Sequence, residues 1–154
     1  MSRFRLQRTL VLERPVDEVF AFFCDPHNLE AITPPWLRFR VQDVSTPRIE
    51  RGTTIDYRLR LHGIPLRWRS LISTWDPPHA FVDEALRGPY RSWVHTHRFV
   101  DLGGRTRADD EVLYDVPGGR LVERWLVRRD LERVFEHRAR RLVELLAPPS
   151  GGRP

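Results

Sequence analysis

Between residues 37 and 115 the chain repeats one pattern, in which short runs of alternating polar and apolar residues are separated by glycine and proline turns. Successive side chains of a strand point to opposite faces of its sheet, so this period of two predicts half-buried strands. Six such runs follow one another, and sequential hairpins form antiparallel sheets with one apolar face. With a further alternating run near the N-terminus, we expect strands over residues 3–13, 37–44, 53–62, 66–75 and 80–86, and on both sides of a Gly103-Gly104 turn.

Three other segments have helical spacing. An apolar stripe begins at Val16 and ends near Asp25, and a short helical turn is expected over residues 28–33. The long segment over residues 121–146 carries a continuous apolar stripe, which must bury against the apolar face of the sheet. The predicted fold is therefore α+β: a curved, seven-stranded antiparallel sheet wrapped around a long C-terminal helix, with two short helices after strand 1. A cavity is expected between sheet and helix.

One predicted hairpin gathers ionisable and aromatic side chains. Trp93, His95 and His97 lie two apart and therefore share a face. Gly-Gly suits a two-residue hairpin loop, and that register places His97 opposite Asp110 and Trp93 opposite Tyr114. Opposed residues also share a face. An ordinary core would not hold so many ionisable groups, whereas the wall of a ligand pocket combines them with aromatics.

Two further turns add residues to this face. A type II′ turn at Gly63-Ile64 would pair Leu59 with Trp68, and Tyr57 with Ser70. A turn centred on Gly88-Pro89 would place Glu84 opposite Trp93. The predicted ligand-binding residues are therefore Tyr57, Trp68, Glu84, Trp93, His95, His97, Asp110 and Tyr114. Each assignment depends on its turn, because a shift of one residue moves a strand's side chains to the other face.

The paired histidines allow four interpretations, one of which is a purely structural role. They could bind the polar end of a ligand without chemistry, or they could catalyse proton transfer, with His97 as general base and Asp110 fixing its tautomer. They could also hold a zinc-like ion together with Asp110 and Glu84, but the spacing is not specific for a metal.

Composition limits the partners. All 26 basic residues are arginine and the net charge is +5, so a lysine Schiff base is excluded. Arg58, Arg60, Arg67 and Arg69 share the outer face of the sheet, where an anionic protein or a membrane surface could dock; nucleic acid is not expected, because interleaved aromatics are missing. The single cysteine excludes an internal disulfide, and no apolar leader precedes the first strand, so a cytoplasmic location is expected.

The order and spacing of several short motifs resemble the START-like (SRPBCC) superfamily, in particular its bacterial polyketide cyclase/dehydrase branch. The matching segments are Leu12-Glu13-Arg14-Pro15, Phe23-Cys24-Asp25-Pro26, Thr33-Pro34-Pro35-Trp36, Trp75-Asp76-Pro77-Pro78, Gly88-Pro89-Tyr90 and Trp93-Val94-His95-Thr96-His97. The resemblance implies a single helix-grip domain over residues 1–147, followed by a disordered tail over 148–154. It also implies a cavity for a hydrophobic or amphipathic molecule, and no metal or other cofactor.

Fold alone does not fix function in this superfamily. The leading expectation is a carrier or sensor that binds a small hydrophobic or amphipathic ligand. The alternatives are a cyclase or dehydratase acting on a polyketide-like substrate through His97 and Asp110, and an interaction module that docks an anionic partner on the arginine face. The oligomeric state is left open.

Overall fold

The computed structural model describes residues 4–148, so the predicted disordered tail falls almost wholly outside the described residues. Its strands form one antiparallel sheet in the order β1-β7-β6-β5-β4-β3-β2. The strands are β1 (Phe4–Leu12), β2 (Arg40–Val44), β3 (Thr54–Leu61), β4 (Ile64–Asp76), β5 (Ala80–Arg87), β6 (Ser92–Asp101) and β7 (Thr106–Asp115). Every neighbour in this order except β1–β7 is joined by a sequential connection, as the repeated alternation predicts.

The helices occupy the positions that the sequence predicts. They are α1 (Val16–Phe23), α2 (Asn28–Ile32), α3 (Gly119–Val122) and α4 (Arg128–Leu145), with a 3-10 turn at Pro35–Leu37 and a π-helical turn at Glu123–Val127. Helix α3, the π-helical turn and α4 run continuously over residues 119–145 and together form the long C-terminal helix. Among the described residues, no helix is both long enough and apolar enough to cross a bilayer.

The C-terminal helix lies across the concave, apolar face of the sheet. Leu131 and Phe135, one turn apart on α4, pack with Trp93 and Val112 of the sheet. Further along the same helix, Leu142 joins a second cluster with α1. The helix is thus anchored to the sheet near both ends, which confirms the predicted helix-grip arrangement.

The hairpin between β6 and β7 has the predicted register. The Leu102 amide donates a hydrogen bond to the Arg105 carbonyl around the Gly103-Gly104 turn. His97 lies opposite Asp110, as predicted, and the pairing of Trp93 with Tyr114 follows from the same register.

The hairpin between β3 and β4 differs from the predicted register by two residues. Its centre is His62-Gly63, and Leu61 pairs with Ile64. Both central residues have positive φ, 51° and 80°, which is the type I′ geometry rather than the predicted type II′. A shift of two residues keeps every side chain on its face, so Tyr57 now lies opposite Trp68 instead of Ser70.

The same correction changes the arginine pairs on the outer face. The predicted type II′ turn would place Arg60 opposite Arg67, but in the structure Arg58 lies opposite Arg67 and Arg60 lies opposite Pro65. Arg69 lies opposite Asp56 and donates a hydrogen bond of 2.7 Å to its carboxylate. This ion pair neutralises part of the face, and the docking of an anionic partner there stays a prediction.

The predicted register between β5 and β6 is wrong by one residue. Asp83 lies opposite His95, and Glu84 lies opposite Val94. Because the β5–β6 pairing stops at Glu84, the connection over residues 85–91 is wide and Gly88-Pro89 does not set the register. A one-residue shift inverts the faces, so Asp83 replaces Glu84 on the concave side.

Gly118, the residue just before the C-terminal helix, gives a test of how the chain enters that helix. Gly118 has φ +93°, and an added Cβ would lie 2.5 Å from the Val122 side chain, whereas the Cβ of an alanine at Gly103, at φ +81°, would meet nothing within 4 Å. We expect Gly103→Ala to lower the free energy of unfolding by about 1–2 kcal/mol through backbone strain alone. Gly118→Ala should cost about 1–3 kcal/mol more, because it adds a steric clash. Urea denaturation of both variants checks this, and equal losses would contradict it.

Candidate functional site

A cavity of about 620 Å³ lies between the concave face of the sheet and α4. This volume falls in the range of small-molecule pockets. Its wall is mostly apolar and aromatic, with a small polar region on β5, β6 and α4. The aromatic side chains that line it include Tyr57, Trp68, Phe81, Tyr90, Trp93 and Phe135.

The structure brings most of the predicted site residues to this cavity. Those that line it are Tyr57, Trp68, Trp93, His95 and His97. Glu84 does not, because the register of β5 turns it to the other face. Tyr114 does not line the cavity either: it is fully buried in the core cluster behind Trp93 and donates a hydrogen bond of 2.6 Å to Glu123. Tyr114 therefore helps to hold the C-terminal helix on the sheet.

Asp110 shares the face with the histidines but lies behind them rather than at the cavity surface. The His95 and His97 rings stack with their centroids 3.7 Å apart. His95 Nε2 lies 2.8 Å from Asp110 Oδ1, and His97 Nδ1 lies 3.3 Å from the same oxygen. Asp110 thus contacts both imidazoles, although the sequence predicted a contact with His97 alone.

Asp83 is the second carboxylate of this group, and it lines the cavity. Its Oδ2 lies 2.8 Å from His97 Nε2 and 3.9 Å from His95 Nδ1. The sequence contained a signal for it, because Phe81, Asp83 and Ala85 alternate along β5. That signal was assigned to the outer face by the incorrect turn.

Arg138 completes the group from α4, and the sequence analysis did not identify it. Its Nη2 lies 3.4 Å from Asp110 Oδ1, and its guanidinium stacks over the rings of Phe23 and Phe135. The side chain is only 12% exposed. A signal was available, since Arg138 stands seven residues after Leu131, within the apolar stripe of the helix.

The two carboxylates are held in their charged form. Burial alone would raise the pKa of Asp110, but the charge of Arg138 and hydrogen bonds from both imidazoles outweigh it, so this pKa lies well below its usual value. Burial likewise opposes ionisation of Asp83, and the hydrogen bond from His97 with the nearby cationic charges still lowers its pKa.

The two histidines are shifted in opposite directions. Burial and the neighbouring His97 lower the pKa of His95, despite its bond to Asp110. Burial also disfavours the cation of His97, but hydrogen bonds to Asp110 and Asp83 outweigh it and raise the pKa of His97. A neutral His95 that donates from Nε2 to Asp110 keeps its Nδ1 as a free acceptor.

A buried thiol nucleophile is not available beside this group. Cys24 caps the C-terminal end of α1 and packs against the core cluster that this helix forms with the sheet, and burial raises the pKa of its thiol to about 11. A thiol with so high a pKa is almost wholly protonated at neutral pH and is a poor nucleophile.

A concave sheet that grips a helix around a lined cavity defines a class of ligand-binding folds, and comparisons place the chain more closely. Residues 12–143 match the family model "Polyketide cyclase / dehydrase and lipid transport". This match spans most of the sequence, and the chain belongs to that family. No match was found among curated proteins.

Solved structures share the fold at low sequence identity. The Zhui aromatase/cyclase from Streptomyces sp. R1128 is 15% identical, with a TM-score of 0.75 over 97% of this chain and 99% of that one. Protein Ms6760 from Mycobacterium smegmatis is 20% identical, with a TM-score of 0.70 over 92% and 90%. Major latex-like protein 151 from Panax ginseng is 14% identical, with a TM-score of 0.70 over 94% and 98%. These likenesses establish the fold.

The electrostatic role of Asp110 can be tested by stability. We expect Asp110→Asn to lower the free energy of unfolding at pH 7 by about 3–5 kcal/mol, because it leaves Arg138 without its carboxylate partner and removes one of the two carboxylates that face His97. The matched control is Asp109→Asn, on the opposite face of β7, where the side chain is 29% exposed and pairs with Arg107. Loss of that surface pair should cost at most about 1 kcal/mol.

The difference between wild type and Asp110→Asn should also depend on pH. Since the folded-state pKa of Asp110 is lowered, its stabilisation is fully present above the unfolded-state value of about 4 and is lost as pH falls through the folded-state value. Urea denaturation between about pH 2 and pH 7 measures this. A destabilisation that stayed constant down to the lowest pH would contradict the assigned role.

Proposed function

We propose that this protein binds a small amphipathic ligand, whose apolar body fills the cavity and whose polar end meets the histidine pair. The observation that carries the proposal is a cavity of about 620 Å³ whose apolar wall is interrupted by one buried polar group. A core without a ligand would gain stability by replacing those ionisable residues with apolar ones. The family's description, which includes lipid transport, supports the same class of ligand.

The aromatic wall suits a flat or unsaturated apolar body. The Trp68 and Trp93 rings meet edge to face, with centroids 5.3 Å apart and an interplanar angle of 89°. Trp93 in turn contacts His95, at 6.2 Å between centroids. A ligand lying along Trp93 would therefore bring its polar end to His95, whose Nδ1 accepts a hydrogen bond from a hydroxyl or enol.

The cavity rim provides an entrance for such a ligand. His62 at the β3–β4 turn lies 2.7 Å from Asp130 of α4, and both residues line the cavity. Trp36 also lines it; this side chain is 52% exposed, meets the His137 ring edge to face and lies beneath the Arg133 guanidinium. An exposed indole beside an apolar cavity is suited to a first contact with a hydrophobic molecule.

Filling the cavity should abolish this binding. Val134 of α4 lines the cavity, whereas Val143 of the same helix is 49% exposed and does not. We expect Val134→Trp to weaken the binding of 1-anilinonaphthalene-8-sulfonate at least about tenfold, or 1.4 kcal/mol, since the indole occupies the ligand's volume. Fluorescence titration measures this. Val143→Trp makes the same change on the surface and should bind as wild type does; equal affinities of the two variants would refute the cavity as the site.

A second candidate function is acid–base catalysis of cyclisation or dehydration, and the opposite pKa shifts of the two histidines favour it. A neutral His95 with a free Nδ1 is suited to act as general base, and a protonated His97 is suited to act as general acid. This arrangement assigns the base to His95, whereas the sequence predicted His97 as the base and gave His95 no catalytic role. The likeness to an aromatase/cyclase supports testing a polyketide-like substrate.

Mutation of the proposed base separates catalysis from binding. If the protein turns over a poly-β-ketone substrate, we expect His95→Gln to lower kcat about 10²–10⁴-fold with little change in KM, because proton transfer is lost and the cavity remains. His79→Gln, which removes an exposed histidine at the start of β5, is the control. Steady-state kinetics with product identification by mass spectrometry decides this. Absence of any turnover, or an unchanged kcat in His95→Gln, would leave binding as the function.

A further inference from the structure

The cavity wall presents three side-chain atoms to a single point. One ligand atom from each of Asp83, His95 and His97 lies within 4.8 Å of the other two. His95 and His97 are two apart on β6, and Asp83 is directly opposite His95 on β5. From this juxtaposition we propose that His95, His97 and Asp83 bind a divalent transition-metal ion, of which zinc is the best match. The ion would use the same His95 Nδ1 that the proposed function gives to the ligand's polar end, but its binding needs no organic ligand and is tested without one.

The distances between these atoms fit one ion. Zinc holds imidazole nitrogen and carboxylate oxygen at 2.0–2.2 Å in tetrahedral geometry, which sets two ligand atoms about 3.4 Å apart. The observed separations from Asp83 Oδ2 are 2.8 Å to His97 Nε2 and 3.9 Å to His95 Nδ1. These two values bracket the ideal one, so shifts of about half an ångström would let the Asp83 carboxylate share an ion with either imidazole. The ion takes the place of the hydrogen that joins His97 to Asp83.

Asp110 supplies the outer contact that metal-bound histidines require. A histidine that ligates through one nitrogen almost always donates the other N–H to a carboxylate or carbonyl. His95 Nε2 lies 2.8 Å from Asp110 Oδ1, which directs the lone pair of Nδ1 away from Asp110. His97 Nδ1 lies 3.3 Å from the same oxygen. One carboxylate behind the imidazoles therefore orients both proposed ligands.

The donor set also leaves room for a reacting or bound group. Two imidazoles and one carboxylate are the ligands of open zinc sites, where a further position is filled by water or substrate. Both histidines and Asp83 line the cavity, so the open position faces the ligand compartment. With Asp83 and Asp110 ionised and Arg138 cationic, a divalent ion leaves a formal charge of +1. An oxyanion of a ligand, or a hydroxide, would balance it.

This site differs from the one considered from the sequence. The sequence groups the histidines with Asp110 and Glu84, and the family resemblance implies no metal. The corrected β5 register removes Glu84 and introduces Asp83, and Asp110 becomes an outer residue instead of a ligand. Asp83, the carboxylate of the proposed site, was not identified from the sequence because the predicted β5–β6 register was wrong by one residue.

Cobalt(II) provides the test, because its visible absorption reports the coordination of a bound ion. We expect the full-length protein, freed of metal by EDTA, to develop a saturable visible band with one equivalent of Co²⁺. Asp83→Asn should abolish the band, and Asp110→Asn should weaken Co²⁺ binding about 10–100-fold, as loss of an outer carboxylate does. Asp109→Asn, the same change on the outer face of β7, should leave it unchanged. No band in wild type, or an unchanged band in Asp83→Asn, would overturn the proposal.

A second measurement keeps the test valid if a buried variant fails to fold. Zn²⁺ is titrated into the wild-type protein and the histidine ring signals are followed by NMR. We expect the signals of His95 and His97 to change together and to be complete at one equivalent, with those of His27 and His79 unaffected. Changes confined to exposed histidines, or none, would overturn the proposal. Binding of 1-anilinonaphthalene-8-sulfonate to the metal-free protein tests the proposed function separately.

Discussion

Two buried carboxylates determine how the sheet and the C-terminal helix fit together. Asp83 and Asp110 stand on the apolar face of the sheet, where an unpaired charge would cost several kcal/mol. His97 from β6 and Arg138 from α4 supply the compensating cations. With His95 neutral, the formal charges of the group cancel. Arg138 therefore links α4 to Asp110 of the sheet. This ion pair adds to the apolar contacts that anchor α4 before and after Arg138.

The same balance explains why the cavity is not closed by packing. Leu131 and Phe135 anchor one part of α4, and Leu142 anchors another, but Arg138 lies between them in the stripe. An apolar residue there could fill space against the sheet, whereas the guanidinium reaches towards Asp110, 3.4 Å from its Nη2, and leaves its Nε buried without a hydrogen-bond partner among the described residues. The fold is common to a ligand carrier and a cyclase alike, so it is this polar group, and not the architecture, that carries information about function.

The strands, the helices and their order were predictable, because hydrophobic periodicity is a local signal that tertiary packing reinforces. The β6–β7 register was predictable as well, since Gly103-Gly104 closes a tight hairpin whose pairing begins at the turn. The β5–β6 register was not, because pairing ends at Glu84 and the wide connection carries no such constraint. Asp83 was missed for this reason. Arg138 was missed because an arginine on a charged helix resembles a solvated residue until its partners on the sheet are known.

Acid–base catalysis and metal binding are competing uses of the same atoms. The free lone pair of His95 Nδ1 either accepts a proton from a substrate or ligates an ion. His97 Nε2 either carries a proton or, once that proton has been released to water, ligates the ion. Asp110 serves both uses, because a carboxylate that accepts the second N–H fixes the ring orientation in either case. Charge separates the two uses: burial and the neighbouring His97 disfavour a positive charge at His95, which suits a neutral base, whereas a bound divalent ion gives the group an excess positive charge that an anionic ligand would neutralise. A metal-bound form would therefore select ligands with an acidic polar end, and a metal-free form would select neutral hydroxyl or enol groups.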